Sequence, residues 1–113
     1  MVRNGMERGE IRVVKGDATI AKLGTAPVII GREQIEPFMT EKLKAASISR
    51  EHIKIAQRDG RIYIEDFKPS KNGTWIIRDG QAVEITGKKG ETELFLTDEI
   101  ILSKVVTLKL KQD

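Results

Sequence analysis

Short stretches in which apolar and polar residues alternate follow one another along almost the whole chain. Ile53 and Ile55 flank Lys54, and Ile62 and Ile64 lie on either side of Tyr63. Because successive side chains of a strand point to opposite faces, this alternation predicts half-buried β-strands. About ten short strands are predicted in this way, at residues 11–13, 18–22, 28–30, 52–57, 61–65, 74–78, 81–85, 93–96, 99–102 and 106–111.

The connections between these stretches carry turn residues and no long helical pattern. Asp59-Gly60 and Asp79-Gly80 predict tight hairpin turns, because glycine tolerates a positive φ. The longest connection, 33–47, is polar, and a short helix is predicted at 41–46 with Thr40 as its cap. Many short strands without a long helix indicate an all-β sandwich or barrel. We expect a flexible N-terminus over residues 1–8 and one domain over 9–113.

The composition argues against several kinds of functional site and partner. The 113 residues include no cysteine and one histidine, His52, so disulfides and cysteine- or histidine-rich metal sites are excluded. The absence of cysteine favours a cytoplasmic location. A net charge of +3, with acids and bases interspersed, does not by itself indicate nucleic-acid binding. No run of about 18 apolar residues is present, so no membrane span is expected.

Three segments carry the candidate chemistry, and each lies where a predicted strand meets a loop: Gly31-Arg32, the stretch 49–52 with the sequence Ser-Arg-Glu-His, and the stretch 70–74 with the sequence Ser-Lys-Asn-Gly-Thr. Loops gather at the ends of a sandwich, so these segments can meet around one concavity. Guanidinium, ammonium and hydroxyl groups suit a phosphate, which carries about −1.5 to −2 charges near pH 7. An amide side chain has the donor and the acceptor needed to hold an extended peptide backbone.

In this order and spacing, the three segments resemble the forkhead-associated (FHA) domain, and the strand pattern agrees from about Ile11 to Leu110. The resemblance implies a β-sandwich of about eleven mostly antiparallel strands, of the SMAD/FHA type, with its binding loops at one end. It also implies that the chain binds phosphothreonine peptides. By position, Arg32 and Ser49 would contact the phosphate, Arg50 and Lys71 would add cationic contacts, and Asn72 would hold the peptide main chain. The residues implied to fix the loop geometry are Gly31, His52, Gly73 and Thr74.

The same resemblance implies a kind of partner. The expected partner is a phosphothreonine-containing protein in Ser/Thr kinase signalling, either a kinase or its substrate. Ser47 lies near the position that selects the third residue after the phosphothreonine, and because it is small and neutral it leaves that preference open. We expect a monomer without enzymatic activity, cofactor or metal, and without nucleic-acid or membrane partners.

Alternative interpretations remain for the same residues. Taken singly, Arg32 is an ordinary surface cation, Ser49 a turn or cap residue, and Asn72-Gly73 a hairpin turn. Ser49 and His52 would have to act as nucleophile and base in an enzyme, but at this spacing in an extended chain they point to opposite faces. A nucleic-acid-binding β-module would need exposed aromatic residues, and the chain has five in all. A phosphate-independent interaction or assembly module of the same fold is the main alternative function.

Overall fold

Two antiparallel β-sheets packed face to face form the protein in the computed structural model, which describes residues 10–113. The predicted flexible N-terminus lies outside the described residues. One sheet has the strand order β2-β1-β10-β9-β6-β7, and the other has the order β3-β4-β5-β8. The strands are β1 (Ile11–Lys15), β2 (Ala18–Lys22), β3 (Val28–Ile30), β4 (Ile53–Arg58), β5 (Arg61–Asp66), β6 (Thr74–Arg78), β7 (Gln81–Glu84), β8 (Thr92–Leu94), β9 (Glu99–Leu102) and β10 (Val106–Gln112).

The all-β sandwich is therefore confirmed, with a correction to its strand count. Residues 10–113 form ten strands, as the alternating pattern predicts, and not the eleven that the family resemblance implies. The long connection between β3 and β4 contains helical turns and no strand. It consists of α1 (Arg32–Ile35), a 3₁₀ turn (Glu36–Phe38) and α2 (Lys42–Ala45). The predicted cap at Thr40 is wrong, because α2 follows Glu41 and has no side-chain cap.

Isoleucine dominates the core between the sheets. The alternation in β4 and β5 places Ile53, Ile55 and Ile64 fully inside, where they pack with Ile100 of the facing sheet. Each such side chain contributes about 1.5–3 kcal/mol when it leaves water. The β3–β4 connection is anchored in the same way, by a set of buried side chains that includes Ile35, Met39, Ala45 and Ile48.

The turns of the β4–β5 and β6–β7 hairpins lie at one end of the sandwich, which we call the hairpin end, and the three candidate segments lie at the other. Asp59-Gly60 joins β4 to β5 and Asp79-Gly80 joins β6 to β7, with positive φ at all four residues, as predicted. At the opposite end β3 stops, β4 begins, β5 stops and β6 begins. We call this second end, formed by residues 31–32, 46–52, 66–74 and 103–104, the loop end. No helix between residues 10 and 113 has both the length and the apolar character needed to cross a membrane.

Candidate functional site

Gly31 brings two of the candidate segments into direct backbone contact. The Arg32 amide donates to the Ser49 carbonyl at 3.1 Å. A Cβ atom on Gly31 would lie only 1.8 Å from the Arg50 carbonyl oxygen and 2.7 Å from that of Ser49. Gly31 has an extended φ of −153°, so glycine is required here for lack of space and not for its backbone freedom. This close backbone approach fixes the position of the Arg32 Cα atom, from which the side chain extends, relative to Ser49 and Arg50.

The Arg32 guanidinium is held in place by backbone carbonyls of the segment before Ser49. Its Nε donates to the Ile48 oxygen at 3.0 Å, and its Nη2 donates to the Ala46 oxygen at 3.1 Å. These bonds use two of the five guanidinium N–H groups. No carboxylate among residues 10–113 forms an ion pair with Arg32. The side chain is therefore half-buried, oriented and positively charged, with donors left to bind an anion.

His52 connects two of the three segments through its ring nitrogens. The Ser49 amide donates to Nδ1 at 3.0 Å, and Nε2 donates to the Gly73 carbonyl at 2.9 Å. Because Nδ1 accepts a hydrogen bond, the ring is neutral and carries its proton on Nε2. Burial lowers the pKa of His52, although the bond to Gly73 and the nearby Asp66 charge oppose that shift. The imidazole contacts the Ser49 backbone and not its hydroxyl, so this pair lacks the hydrogen bond of a nucleophile and its base.

The Ser49 hydroxyl accepts a hydrogen bond from the Lys71 backbone amide at 3.0 Å, which leaves its own hydrogen free to donate. Asn72 donates from Nδ2 to the Ser47 carbonyl at 2.8 Å. The side chains of Arg50 and Lys71 are exposed and form no hydrogen bond or ion pair within residues 10–113. Glu51, the acidic neighbour of Arg50, is paired with Lys68. The loop end thus gathers a free hydroxyl hydrogen together with guanidinium and ammonium groups. The positive charges of Arg32, Arg50 and Lys71 form no ion pair within residues 10–113.

Asp66 is a buried carboxylate that holds the 66–74 loop together. It accepts hydrogen bonds from the Thr74 hydroxyl at 2.6 Å, the Ser70 amide at 3.0 Å and the Gly87 amide at 2.8 Å, and the Ser70 hydroxyl is a further donor. Burial alone would raise the pKa of Asp66, but these hydrogen bonds hold it below its ordinary value. Ser70 lies in a candidate segment, but the sequence pattern assigned no role to it or to Asp66. The successive four-residue spacing of Asp66, Ser70 and Thr74 was the available signal.

Gly73 is required by both its backbone and its surroundings. Its φ is +94°, and a Cβ atom would lie 2.4 Å from Cη2 of the Trp75 ring. Trp75 is half-buried and covers Gly73, so it serves as packing for the loop rather than as an exposed stacking surface. Asn72-Gly73 lies in the connection between β5 and β6, which do not pair with each other, and is not a hairpin turn.

Ser103, in the turn between β9 and β10, belongs to the same network and was missed by sequence reasoning. Its hydroxyl donates to the Ser47 carbonyl at 2.7 Å, the same oxygen that Asn72 binds, and its amide donates to the Gly73 carbonyl at 3.0 Å. No residue pattern around Ser103 indicates this role. The only signal was its position between β9, which ends at the loop end, and β10, which begins there.

All the candidate residues thus come together at the loop end. Arg32, Ser49 and Asn72 each hydrogen-bond to another of the three segments or to the stretch 46–48. Arg50 and Lys71 extend from the same loops into solvent, and Gly31, His52, Gly73 and Thr74 lie buried beneath them. The pocket of about 220 Å³ lined by Arg61, Leu94 and Phe95 lies at the hairpin end and shares no residue with this site.

Comparisons with known proteins agree with this architecture. A family model described as the FHA domain matches residues 28–103. A comparison of the sequence with curated proteins finds no significant match.

Several solved structures have the same fold. The FHA domain of an Arabidopsis thaliana hypothetical protein is 23% identical with a TM-score of 0.65, over 98% of this chain and 92% of that one. The FHA domain of human APLF, solved with an XRCC1 bisphospho peptide, is 19% identical with a TM-score of 0.63, over 90% and 96%. A domain from a study of phosphothreonine-dependent FHA interactions is 22% identical with a TM-score of 0.62, over 90% and 95%. Because the family model covers most of the sandwich and all three candidate segments, this chain belongs to the FHA domain family.

Proposed function

We propose that this chain is a non-catalytic module that binds phosphothreonine peptides at its loop end. The observation that carries the proposal is the ordered Arg32 guanidinium, which two backbone carbonyls hold beside Ser49 and which has no carboxylate partner among residues 10–113. An uncompensated, oriented guanidinium that only half faces solvent is suited to bind an anion bidentately.

The surrounding groups fit a phosphate on a peptide. Arg32 and the free hydrogen of the Ser49 hydroxyl would donate to the phosphate oxygens, and Arg50 and Lys71 would add charge at the rim. Asn72 is fixed by its bond to Ser47, and its Oδ1 accepts from no group among residues 10–113. That oxygen can accept a hydrogen bond from a peptide backbone amide. The site therefore combines phosphate donors with a group that reads an extended main chain.

The family supports a binding role over a catalytic one. One solved domain of similar fold comes from a study of phosphothreonine-dependent interactions, and another was solved with a bisphospho peptide. In this chain His52 is buried, and its Nδ1 already accepts the Ser49 amide, so it is not available as a base for the Ser49 hydroxyl. We place the module in Ser/Thr kinase signalling, as a cytoplasmic monomer whose partner is a phosphorylated kinase or kinase substrate.

Peptide capture tests the proposal. Immobilised protein is exposed to three degenerate peptide libraries that differ only in a fixed phosphothreonine, phosphoserine or unmodified threonine. We expect selective capture of the phosphothreonine library, and loss of that capture in Arg32→Ala. Equal capture of the phosphorylated and unmodified libraries would instead indicate a phosphate-independent interaction module. Capture of no library by folded protein would overturn the proposal.

A further inference from the structure

Strand β7 forms one edge of the six-stranded sheet. It is the last strand in the sheet order, beyond β6, and all four of its side chains are exposed. Folded proteins commonly protect such an edge with lysine, proline, a bulge or a very short strand, because its unpaired backbone groups can pair with another chain. The sequence of β7, Gln-Ala-Val-Glu, contains neither lysine nor proline, and its pairing with β6 is regular throughout. The β7 edge therefore lacks these protective features.

The other three edges of the two sheets within residues 10–113 are better protected. β2 pairs with β1 across a register irregularity between Val13 and Val14, and it ends in Lys22. β3 and β8 have only three residues each, and Pro27 directly precedes β3. Among the strands that the structure describes, β7 is thus the edge best suited to accept a further strand.

The backbone of β7 has donors and acceptors directed away from β6. The amide of Ile85, just beyond the strand, donates to the Thr74 carbonyl at 2.9 Å. Because bonded and non-bonded pairs alternate along an antiparallel ladder, Val83 also bonds to β6, whereas Ala82 and Glu84 direct their N–H and C=O groups outward. No strand within residues 10–113 lies on that side of β7. These two residues offer four backbone groups to a strand that lies beside β7.

The side chains of β7 define what kind of strand fits. Val83 shares the inner face of the sheet with its cross-strand partner Ile76, which is buried, yet Val83 is 50% exposed. An added strand would cover Val83 with a β-branched side chain. Glu84 is exposed on the outer face and forms no ion pair within residues 10–113. A lysine or arginine opposite Glu84 would therefore be favoured.

We propose that the β7 edge binds an extended segment of a partner protein as an additional antiparallel strand. The backbone of that segment bonds to Ala82 and Glu84. A basic residue lies opposite Glu84 and a β-branched residue lies opposite Val83. Because the strands are antiparallel, the segment has the basic residue first and the β-branched residue directly after it. This contact needs no phosphate, so it is a second binding surface that does not rest on the proposed function.

Amide hydrogen exchange followed by NMR tests the inference on the intact protein. The probe is a short unphosphorylated peptide with the core Lys-Val-Thr-Val, and its matched control has the core Glu-Val-Thr-Val. At saturation we expect the Lys peptide to slow exchange of the Ala82 and Glu84 amides, because both become hydrogen-bonded. The Val83 amide already bonds to β6 and should change little. We expect the Glu peptide to bind about fivefold more weakly, because attraction to Glu84 is replaced by repulsion.

Two variants test whether the β7 edge itself binds the peptide. Ala82→Pro removes an outward N–H that β6 does not use, so the fold should be kept while the peptide no longer binds. Glu84→Lys should invert the preference, so that the Glu peptide binds better than the Lys peptide. Glu93→Lys, the same change on β8 at an edge of the other sheet, should leave the preference unchanged. If Ala82→Pro unfolds, the inversion in Glu84→Lys decides.

The outcomes are separate from those of the proposed function. Slowed exchange at Ala82 and Glu84 that depends on the Lys peptide, and a preference that inverts in Glu84→Lys, would support the inference. Unchanged exchange at both amides, or the same preference in Glu84→Lys, would overturn it. Exchange that slows with protein concentration alone would also overturn it, because a second copy would then occupy the edge. Arg32→Ala should bind the Lys peptide as the unmodified protein does, so neither proposal fails with the other.

Discussion

The Nδ1 atom of His52 accepts a hydrogen bond from the backbone amide of Ser49 at 3.0 Å, while its Nε2 donates to the Gly73 carbonyl. One buried ring thus holds together the loop that presents the Ser49 hydroxyl and the loop that presents Asn72. Since neither bond involves a side chain of the proposed binding set, His52 acts on binding by positioning these loops.

Replacing His52 should therefore reduce both stability and affinity. His52→Ala leaves the Ser49 amide without a partner, leaves the Gly73 carbonyl with only the Ser103 amide, and opens a cavity, so we expect the free energy of unfolding to fall by about 2–4 kcal/mol. Urea unfolding measures this loss. Phosphopeptide affinity, measured by titration calorimetry at a temperature where the variant is still folded, should also fall. Unchanged stability would show that the ring does not hold the loops.

The neutral state of His52 predicts a pH dependence of stability. Because burial lowers the pKa of His52 in the folded protein, the unfolded chain binds a proton first as the pH falls. The stabilisation is fully present above the unfolded pKa of about 6.5 and is lost as the pH falls through the lower folded value. Urea unfolding of peptide-free protein between about pH 7.5 and 5 should show this decline. A His52→Gln variant should lack it, and an equal decline in that variant would assign the effect to other groups.

The close approach at Gly31 predicts a severe effect of a single methyl group. Gly31→Ala would place Cβ 1.8 Å from the Arg50 carbonyl oxygen, so the 49–50 backbone must move away from Arg32. We expect phosphopeptide binding to be lost and the melting temperature to fall. Gly24→Ala is the matched control, because nothing lies within 4 Å of its Cβ position and its φ is not positive. Similar binding by the two variants would contradict the proposed geometry.

The Asp66 carboxylate should be more important for stability than the carboxylate of its half-buried neighbour Glu65. In Asp66→Asn one acceptor oxygen becomes an NH₂ group that faces N–H and O–H donors, so we expect a loss of about 2–3 kcal/mol in the free energy of unfolding. Glu65→Gln, on the same strand and partly exposed, should change it by less than about 0.5 kcal/mol. Denaturant unfolding of both variants makes the comparison. An Asp66→Asn variant as stable as Glu65→Gln would show that the network is dispensable.

The shape of the Arg32 guanidinium, and not only its charge, should matter for binding. Lysine cannot reproduce the simultaneous bonds of Nε and Nη2 to Ile48 and Ala46. We expect Arg32→Ala to lose about 2–5 kcal/mol of binding free energy and Arg32→Lys to recover only a small part of it. Arg61→Ala, at the exposed hairpin end, should bind as the unmodified protein does. Titration calorimetry with one phosphothreonine peptide distinguishes these cases.

The sandwich was predictable because its signals are local. Alternating isoleucines mark β4 and β5 without reference to the rest of the chain, and Asp59-Gly60 supplies the positive φ that their turn needs. The three candidate segments were predictable as a set because each follows or precedes such a strand.

The supporting groups were less predictable because their roles depend on distant partners. The buried charge of Asp66 is tolerated only through donors as far along the chain as Gly87. Asp98, between two predicted strands, tolerates burial because the Arg78 guanidinium and the Phe95 amide bind it. The Ser103-Lys104 turn lacks the glycine that marks the β4–β5 and β6–β7 hairpins. The short helix α1 begins at Arg32, within a candidate segment, where no helical pattern is long enough to detect.

The most direct test of the central claim is an NMR titration that follows backbone amide chemical shifts as a phosphothreonine peptide, and then its unphosphorylated twin, is added. Binding at the loop end predicts that the phosphorylated peptide alone perturbs amides within 31–32, 46–52, 70–73 and 103–104, while the 59–60 and 79–80 turns stay unchanged. Equal perturbation by both peptides, or perturbation centred on the hairpin end, would contradict the account.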